Sequence, residues 1–450
     1  MSYHPSRQAL ERFARGEVFR HEARRIVNHL RLGCPACQQE VDRLLPFGEE
    51  TGCRIELALP EELPSPMSTL DFERLEMKLG QIEDERRRAP DLLSEILALS
   101  ERGRAQAIRS QLRYRTLAVC DGLIEQSFRM GFDDARGAVG LAELAIDLAE
   151  QLEPARYGRS LVQDLKGRAW AFLGNARRIN SDLPGAEEAL DLAQSLIEDG
   201  SADPLEQARV FDLRASLAAD QGRFELAVEF LDMVIDIYGE VQEPHLLGRA
   251  LLSKGLVTGL GGDSEAAIDL IRRSLRLLDL DFEPRLIVAV HHNLAWFIDE
   301  AGRHEEALEH LEMFGHIYQD FPDARILPRR RWLQGRIAAG LGRPLEAEVA
   351  FREVQRHFIS HGLDCDAAMV AMDLAALLLA SGRNAEVIQL TAEIFPVLMA
   401  QEVRRHALAA LVAFTHAVEM NCATPKLASE VAKFLRRASR NPSLQFDSKL

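Results

Sequence analysis

The chain is poor in aromatic side chains, which make up 6% of its 450 residues, and it has no excess of positive charge. Lys and Arg number 54 against 70 Asp and Glu, for a formal net charge of −16. That balance argues against direct nucleic-acid binding, which calls for a basic footprint. No apolar run approaches the roughly 20 residues of a membrane span. The N-terminus lacks the apolar stretch of a signal peptide. Six cysteines in so long a chain are too few for a disulfide scaffold. These absences lead us to expect a cytoplasmic protein with no membrane segment. Catalytic signatures are missing too: there is no G-x-x-x-x-G-K phosphate loop, no His-Glu-x-x-His, and no serine or cysteine elbow with a base nearby. The cluster Gly259-Leu260-Gly261-Gly262 falls on a repeat turn. Glu187-Glu188 and Glu305-Glu306 recur at one repeat position and read as surface charge at helix starts, with His304 exposed beside them. The expectation is a protein that is not an enzyme.

What is present is a period. Gly222, Gly262, Gly302, Gly342 and Gly382 follow one another at intervals of forty residues. Five residues beyond each comes Ala227, Ala267, Ala307, Ala347 and finally Val387. Seven before each comes a small residue: Ala215, Gly255, Ala295, Gly335 and Ala375. A fixed interval without insertions marks a stacked array of supersecondary units. Each unit reads as two helices. Leu286 to Glu300 carries apolar residues at helical spacing, and Glu305 to Tyr318 places Ala307, Leu308, Leu311, Phe314 and Ile317 on one face. The glycine between the two ends the first helix in the left-handed conformation. The small residue seven before it lets two backbones approach.

This pattern resembles the tetratricopeptide repeat, with a unit longer than the usual 34 or so residues. The resemblance implies an all-α, right-handed superhelical solenoid. Its first helices would line an inner groove that holds a protein or peptide.

The first 45 residues do not repeat. His29 lies five residues before Cys34, and Cys34 three before Cys37. A Cys-x-x-Cys knuckle presents two thiolates to one metal, and an upstream histidine can add a third ligand for Zn2+. A thiol–disulfide pair, or two inert thiols, would fit the same residues. The run His29-Leu30-Arg31-Leu32-Gly33-Cys34-Pro35-Ala36-Cys37, after Phe13-Ala14-Arg15-Gly16-Glu17-Val18, resembles the zinc-binding anti-sigma domain. That likeness implies a small helical zinc module over 1–45, with His4, His29, Cys34 and Cys37 as ligands. His21 is the rival to His4. Two departures stand against the family pattern: one extra residue between His29 and Cys34, and a histidine as first ligand.

Pro46, Pro60, Pro64 and Pro66, with Gly48 and Gly52, mark 46–68 as a linker. A helix is expected to start at Ser68 or Thr69, and the block Glu83-Asp84-Glu85-Arg86-Arg87-Arg88 should be a solvated helix face. The repeat region is assigned to 69–440. Phe172-Leu173-Gly174-Asn175-Ala176 reads as an irregular earlier unit with its turn through Pro184-Gly185. Lys426 to Ser439 gives a capping helix, and 441–450 should be loose.

Candidate partner-binding residues follow from the period. Thirteen before the glycines stand Arg209, Arg249 and Arg329, with Arg168 in the irregular unit; ten before stand His292 and Trp332, and six before Trp296 and Arg336. Arginine can hold carboxylates bidentately and tryptophan anchors interfaces. The same residues could instead pair with neighbouring acids and fill the core. The reading is a bacterial regulatory adaptor whose array binds a protein partner, a sigma factor being one candidate. Two readings stand beside it: an assembly scaffold with a structural zinc site, and a sensor of a small ligand or peptide.

Overall fold

The computed structural model describes residues 5, 7–14, 26, 29, 37, 40, 41, 43, 69–131, 134–321, 326–400 and 405–438. The proposed linker and the last ten residues lie outside these. The chain divides into two compact units, Met1–Asp91 and Leu92–Leu450. Among the described residues every regular element is helical. No helix of the described residues is long and apolar enough to cross a membrane.

In the first unit, α1 spans Arg7–Ala14, and α2, Thr69–Leu97, begins there with Pro90 inside it. Leu10, Ile26 and Cys37 are buried together, with Phe13 and Val41 against them. Of the expected solvated block, Arg86, Arg87 and Arg88 are exposed, but Glu85 is buried. Glu85 stands one turn before Ala89 and shares its inward face.

In the second unit, two helices, α3 (Glu101–Ser110) and α4 (Leu117–Met130), precede α5 (Ala135–Ala149) and the single turn α6 (Pro154–Tyr157). Paired helices then follow: α7 (Arg159–Ile179) with α8 (Leu183–Glu198), α9 (Pro204–Asp220) with α10 (Phe224–Glu240), and α11 (Pro244–Leu260) with α12 (Ser264–Leu275). Next come α13 (Arg285–Glu300) with α14 (His304–Met313), α15 (Ile326–Gly340) with α16 (Pro344–Ser360), and α17 (Asp364–Ala380) with α18 (Asn384–Ala400). The last two are α19 (Arg405–Glu419) and α20 (Pro425–Ala438). From α7 to α19 each helix packs on the next in sequence, and α20 packs on α17 as well as on α19. This is the tetratricopeptide-like arrangement that the period implied.

The turns show how the period is enforced. Gly222, Gly262, Gly302, Gly342 and Gly382 have φ of 77°, 109°, 78°, 71° and 70°. The Gly222 N–H donates to the Ala219 carbonyl at 3.0 Å, and the Arg223 N–H reaches back to Ala218 at 2.8 Å. The same pair of bonds closes each of the other four turns. Such a closure satisfies two of the carbonyls a helix leaves open at its end. Five residues on, Ala227, Ala267, Ala307, Ala347 and Val387 are fully buried. Seven before, a Cβ on Gly255 would meet the Ile271 side chain at 2.8 Å, and one on Gly335 the Phe351 ring at 2.7 Å. At those glycines the side chains of the paired second helix press directly on the first.

Two expectations change in detail. The irregular unit turns on Ser181, not through Pro184-Gly185. Ser181 has φ 68°, and its N–H and that of Asp182 close the turn onto Arg178 and Arg177. Pro184 and Gly185 instead form the first turn of α8, where the Gly185 N–H donates to the Asp182 carboxylate at 3.0 Å. Downstream of α14, the helix foreseen through Tyr318 tightens into a 3-10 segment, Gly315–Asp320. A buried glycine at its head, beside the Arg330 guanidinium, weakens the α-helical register there.

Ser181 carries the strain that glycine avoids at the regular turns. The left-handed region costs an ordinary residue about 1–2 kcal/mol. Ser181→Gly is therefore expected to stabilise the fold by about 1 kcal/mol, less the added freedom of the unfolded chain. Denaturant titration of the variant against wild type checks this; no change or a loss would mean that the turn is not strained.

Candidate functional site

The first helices of successive units line a half-open cavity of about 460 Å³. Its lining comes from α7, α9, α11, α13, α15 and α17, with Leu231 as the one contribution of a second helix. The register explains the gathering: Asp212, His292 and Trp332 stand ten before their turn glycines, and Ser216, Leu256 and Trp296 six before. Ten and six differ by one helical turn, so both positions project from the same stripe.

Four of the eight sequence-derived groove residues line this cavity: His292, Trp296, Arg329 and Trp332. The two indoles meet edge to face, with ring centroids 5.5 Å apart and planes at 83°. The Trp332 Nε1–H donates to Asp373 Oδ2 at 2.7 Å, which fixes its ring. Arg336 lies behind this wall. Its guanidinium sits 4.1 Å from the Trp296 ring centroid. It is also 3.4 Å from Asp299 and 3.5 Å from Glu300. Asp299 is buried and takes a second bond from the His304 ring at 2.8 Å. His304 is thus half-buried and partnered, where the sequence suggested an exposed side chain.

The remaining arginines lie elsewhere and are paired. Arg168 bridges Asp121, at 2.6 Å, and the buried Glu206. Arg209 lies 3.8 Å from Glu206, and Arg249 lies 3.4 Å from Glu283. Arg329 is the most exposed of the cavity cations and stands 3.5 Å from Asp366. The arginine stripe is therefore a set of ion pairs, made between neighbouring units except at Arg209, whose acid is on its own helix, and not a row of free cations.

Sequence reasoning passed over Arg178, Asp220, Ser253, Asn293 and Asp366, all of which line the cavity. Arg178 donates to Asp220 at 2.5 Å and to Asn175 at 2.9 Å. Asn293 and Ser253 stand nine before their glycines, a position adjacent to the stripe that could have been read from the same period.

His292 is packed into the wall and shares a 3.2 Å hydrogen bond with the Tyr318 hydroxyl. Burial, with Arg329 nearby, holds its pKa down at about 4. Its neighbour His291 shares a 3.1 Å contact with His310 and stacks on Phe314. Burial, with His310 and His316 adding to it, lowers His291 likewise to about 4. Both rings are neutral near pH 7. Unfolding restores an ordinary value near 6.5, so the unfolded chain binds more protons below that pH. Stability is whole above about 6.5 and falls as pH drops toward 4. His292→Asn is expected to make the acid loss of melting temperature shallower across that window, read by thermal scans at stepped pH; an unchanged slope would mean that His292 is not held neutral.

Of the four zinc-ligand candidates, His29 and Cys37 are described and both are buried, at 9% and 6% exposure. Burial suits a closed metal site. His4 and Cys34 lie outside the described residues, as does His21. Among the described residues no group of three or more metal-binding side chains comes together.

No protein-family model matches the chain, and no curated protein matches it. Solved structures do. A Rap protein in complex with competence and sporulation factor shares 15% identity at TM-score 0.52, over 71% of this chain and 91% of that one. Aspartyl phosphate phosphatase F from Bacillus subtilis shares 14% at 0.51, over 88% and 95%. A signal-transduction ATPase with a tetratricopeptide repeat sensor, from Pyrococcus horikoshii, shares 10% at 0.51, over 78% of this chain and 52% of that one. At these identities the likeness is one of fold: the chain is a tetratricopeptide-like helical repeat protein.

Proposed function

We propose that the chain is a non-enzymatic regulator that receives a peptide or small ligand in the inner-wall cavity. The observation that carries this reading is the cavity itself. Six first helices converge on it, its volume falls in the few-hundred-Å³ range of ligand pockets, and it joins apolar walls to a few polar groups. The Rap protein of similar fold is bound to competence and sporulation factor, which supports a ligand-responsive role. A protein partner, a sigma factor among the candidates, would then read the ligand-bound state from the cytoplasm. Neither nucleic acid nor membrane enters this reading. Two variants test it: Ser253→Trp, which fills the cavity, and Trp296→Ala, which removes an anchor. Pools of short peptides and a metabolite library, screened by thermal shift, are expected to yield a stabiliser of wild type that both variants lose. A stabiliser that both variants still bind would place the function elsewhere.

The N-terminal residues carry a second, separable part of the proposal: His4, His29, Cys34 and Cys37 hold one structural Zn2+ in an anti-sigma-like module. Thiolate and imidazole donors at this spacing suit zinc, and so short a segment gains much of its stability from the metal. Elemental analysis is expected to show one zinc per chain, reduced at least severalfold in Cys34→Ser. Zinc-free wild type would remove this module from the reading and leave the cavity untouched.

A further inference from the structure

The charges on the cavity wall do not balance. Two guanidiniums, Arg178 and Arg329, face three carboxylates: Asp212, Asp220 and Asp366. Arg178 is taken by Asp220 at 2.5 Å, and Arg329 by Asp366 at 3.5 Å. Arg249, the next cation near Asp212, is held by Glu283 at 3.4 Å. Asp212 remains: it makes no hydrogen bond or ion pair with any described residue. Burial pushes its carboxyl pKa up, against the pull of Arg249 and Arg178. A half-buried carboxylate without its own counter-ion is costly to keep, and a bound cation would offset that cost.

We propose that the cavity recognises an organic cation, an ammonium or guanidinium group, with the Asp212 carboxylate as its acceptor. This deepens the ligand-receiving role proposed above and rests on it. The surroundings suit a cation carried on an apolar stem. Trp296, Phe297 and Leu256 give apolar wall, and the edge of that wall offers the Asn293 amide, which makes no hydrogen bond with a described residue. Aromatic faces favour cations as well as apolar stems. The amide can bond a neutral polar group next to the charge. The assignment reverses what the arginine stripe suggested, since each of those arginines already has a carboxylate.

The cation can come from a peptide side chain or from a free amine, and one binding series separates the two sources. The probes are three pools of N-acetylated, C-amidated pentapeptides, with lysine, norleucine or glutamate fixed at the centre and the other positions mixed, and spermidine by itself. They are titrated against the full chain and followed by tryptophan fluorescence and thermal shift. The lysine pool is expected to bind wild type roughly tenfold or more tighter than the norleucine pool, as a charge-assisted hydrogen bond would give. Asp212→Asn should erase the difference. Ser216→Lys, which sets an ammonium one helical turn from Asp212, should erase it by internal competition; it guards against misreading a folding defect in the first variant. Spermidine binding as tight as the lysine pool, and equally lost in both variants, upholds the inference with a free amine as source. Preference for glutamate, or equal binding of all pools with Asp212→Asn silent, overturns the inference and leaves a cavity ligand standing. No binding of any probe overturns the inference, and the ligand-receiving role is then decided by the wider peptide and metabolite screen.

Discussion

The second unit depends on one backbone constraint: a residue in the left-handed conformation between the helices of each pair. That residue lets two N–H groups fold back onto the end of the first helix, as at Gly222 and Arg223. The closure fixes where the second helix begins, and hence which residues of the first face it. With the turn placed every forty residues, positions ten and six before it land on one wall, unit after unit. The cavity follows from that regularity. Asp212, His292 and Trp332 line one cavity because each keeps the same distance from its own turn.

Much of this was legible in the sequence because glycine at positive φ, and small residues at close approach, leave few substitutes. Gly255 and Gly335 would each drive a Cβ into a neighbouring side chain, and the sequence shows that need directly. Legibility failed where another residue bears the same strain. Ser181 does the work of a turn glycine, and nothing in its chemistry announces it. It failed again where outcome depends on partners across units. The placement of His292, Trp296, Arg329 and Trp332 on the cavity could be read from the period. The pairing of Arg168 with Glu206, or of Arg336 with Asp299, could not, since those acids stand some forty residues away on other helices. His304 was misjudged for a different reason: Asp299, five residues before it at the end of the first helix of the same pair, draws it inward.

The ion pairs between units also explain how an acidic chain keeps a defined stack. Arg223, Arg303 and Arg383, each next to a turn glycine, reach glutamates of the preceding unit: Glu187, Glu265 and Glu348. Exposed pairs of this kind are individually weak, because water screens them. Their value lies in repetition and in orientation, since each joins one unit to the one before it. Arg336 has a further role, because the same guanidinium covers a face of Trp296 and holds the aromatic wall in place.

The forty-residue interval also sets the grain of change open to this molecule. Nearest-neighbour stacking tolerates removal of a whole unit, because the flanking helices meet equivalent surfaces. Excision of 263–302 would leave every remaining glycine turn intact and would put Leu256 and Trp332 on one shortened wall. It would also delete His292, Asn293 and Trp296 together. Architecture and recognition are thus inherited on different scales: the stack survives the loss of a module, and the chamber does not.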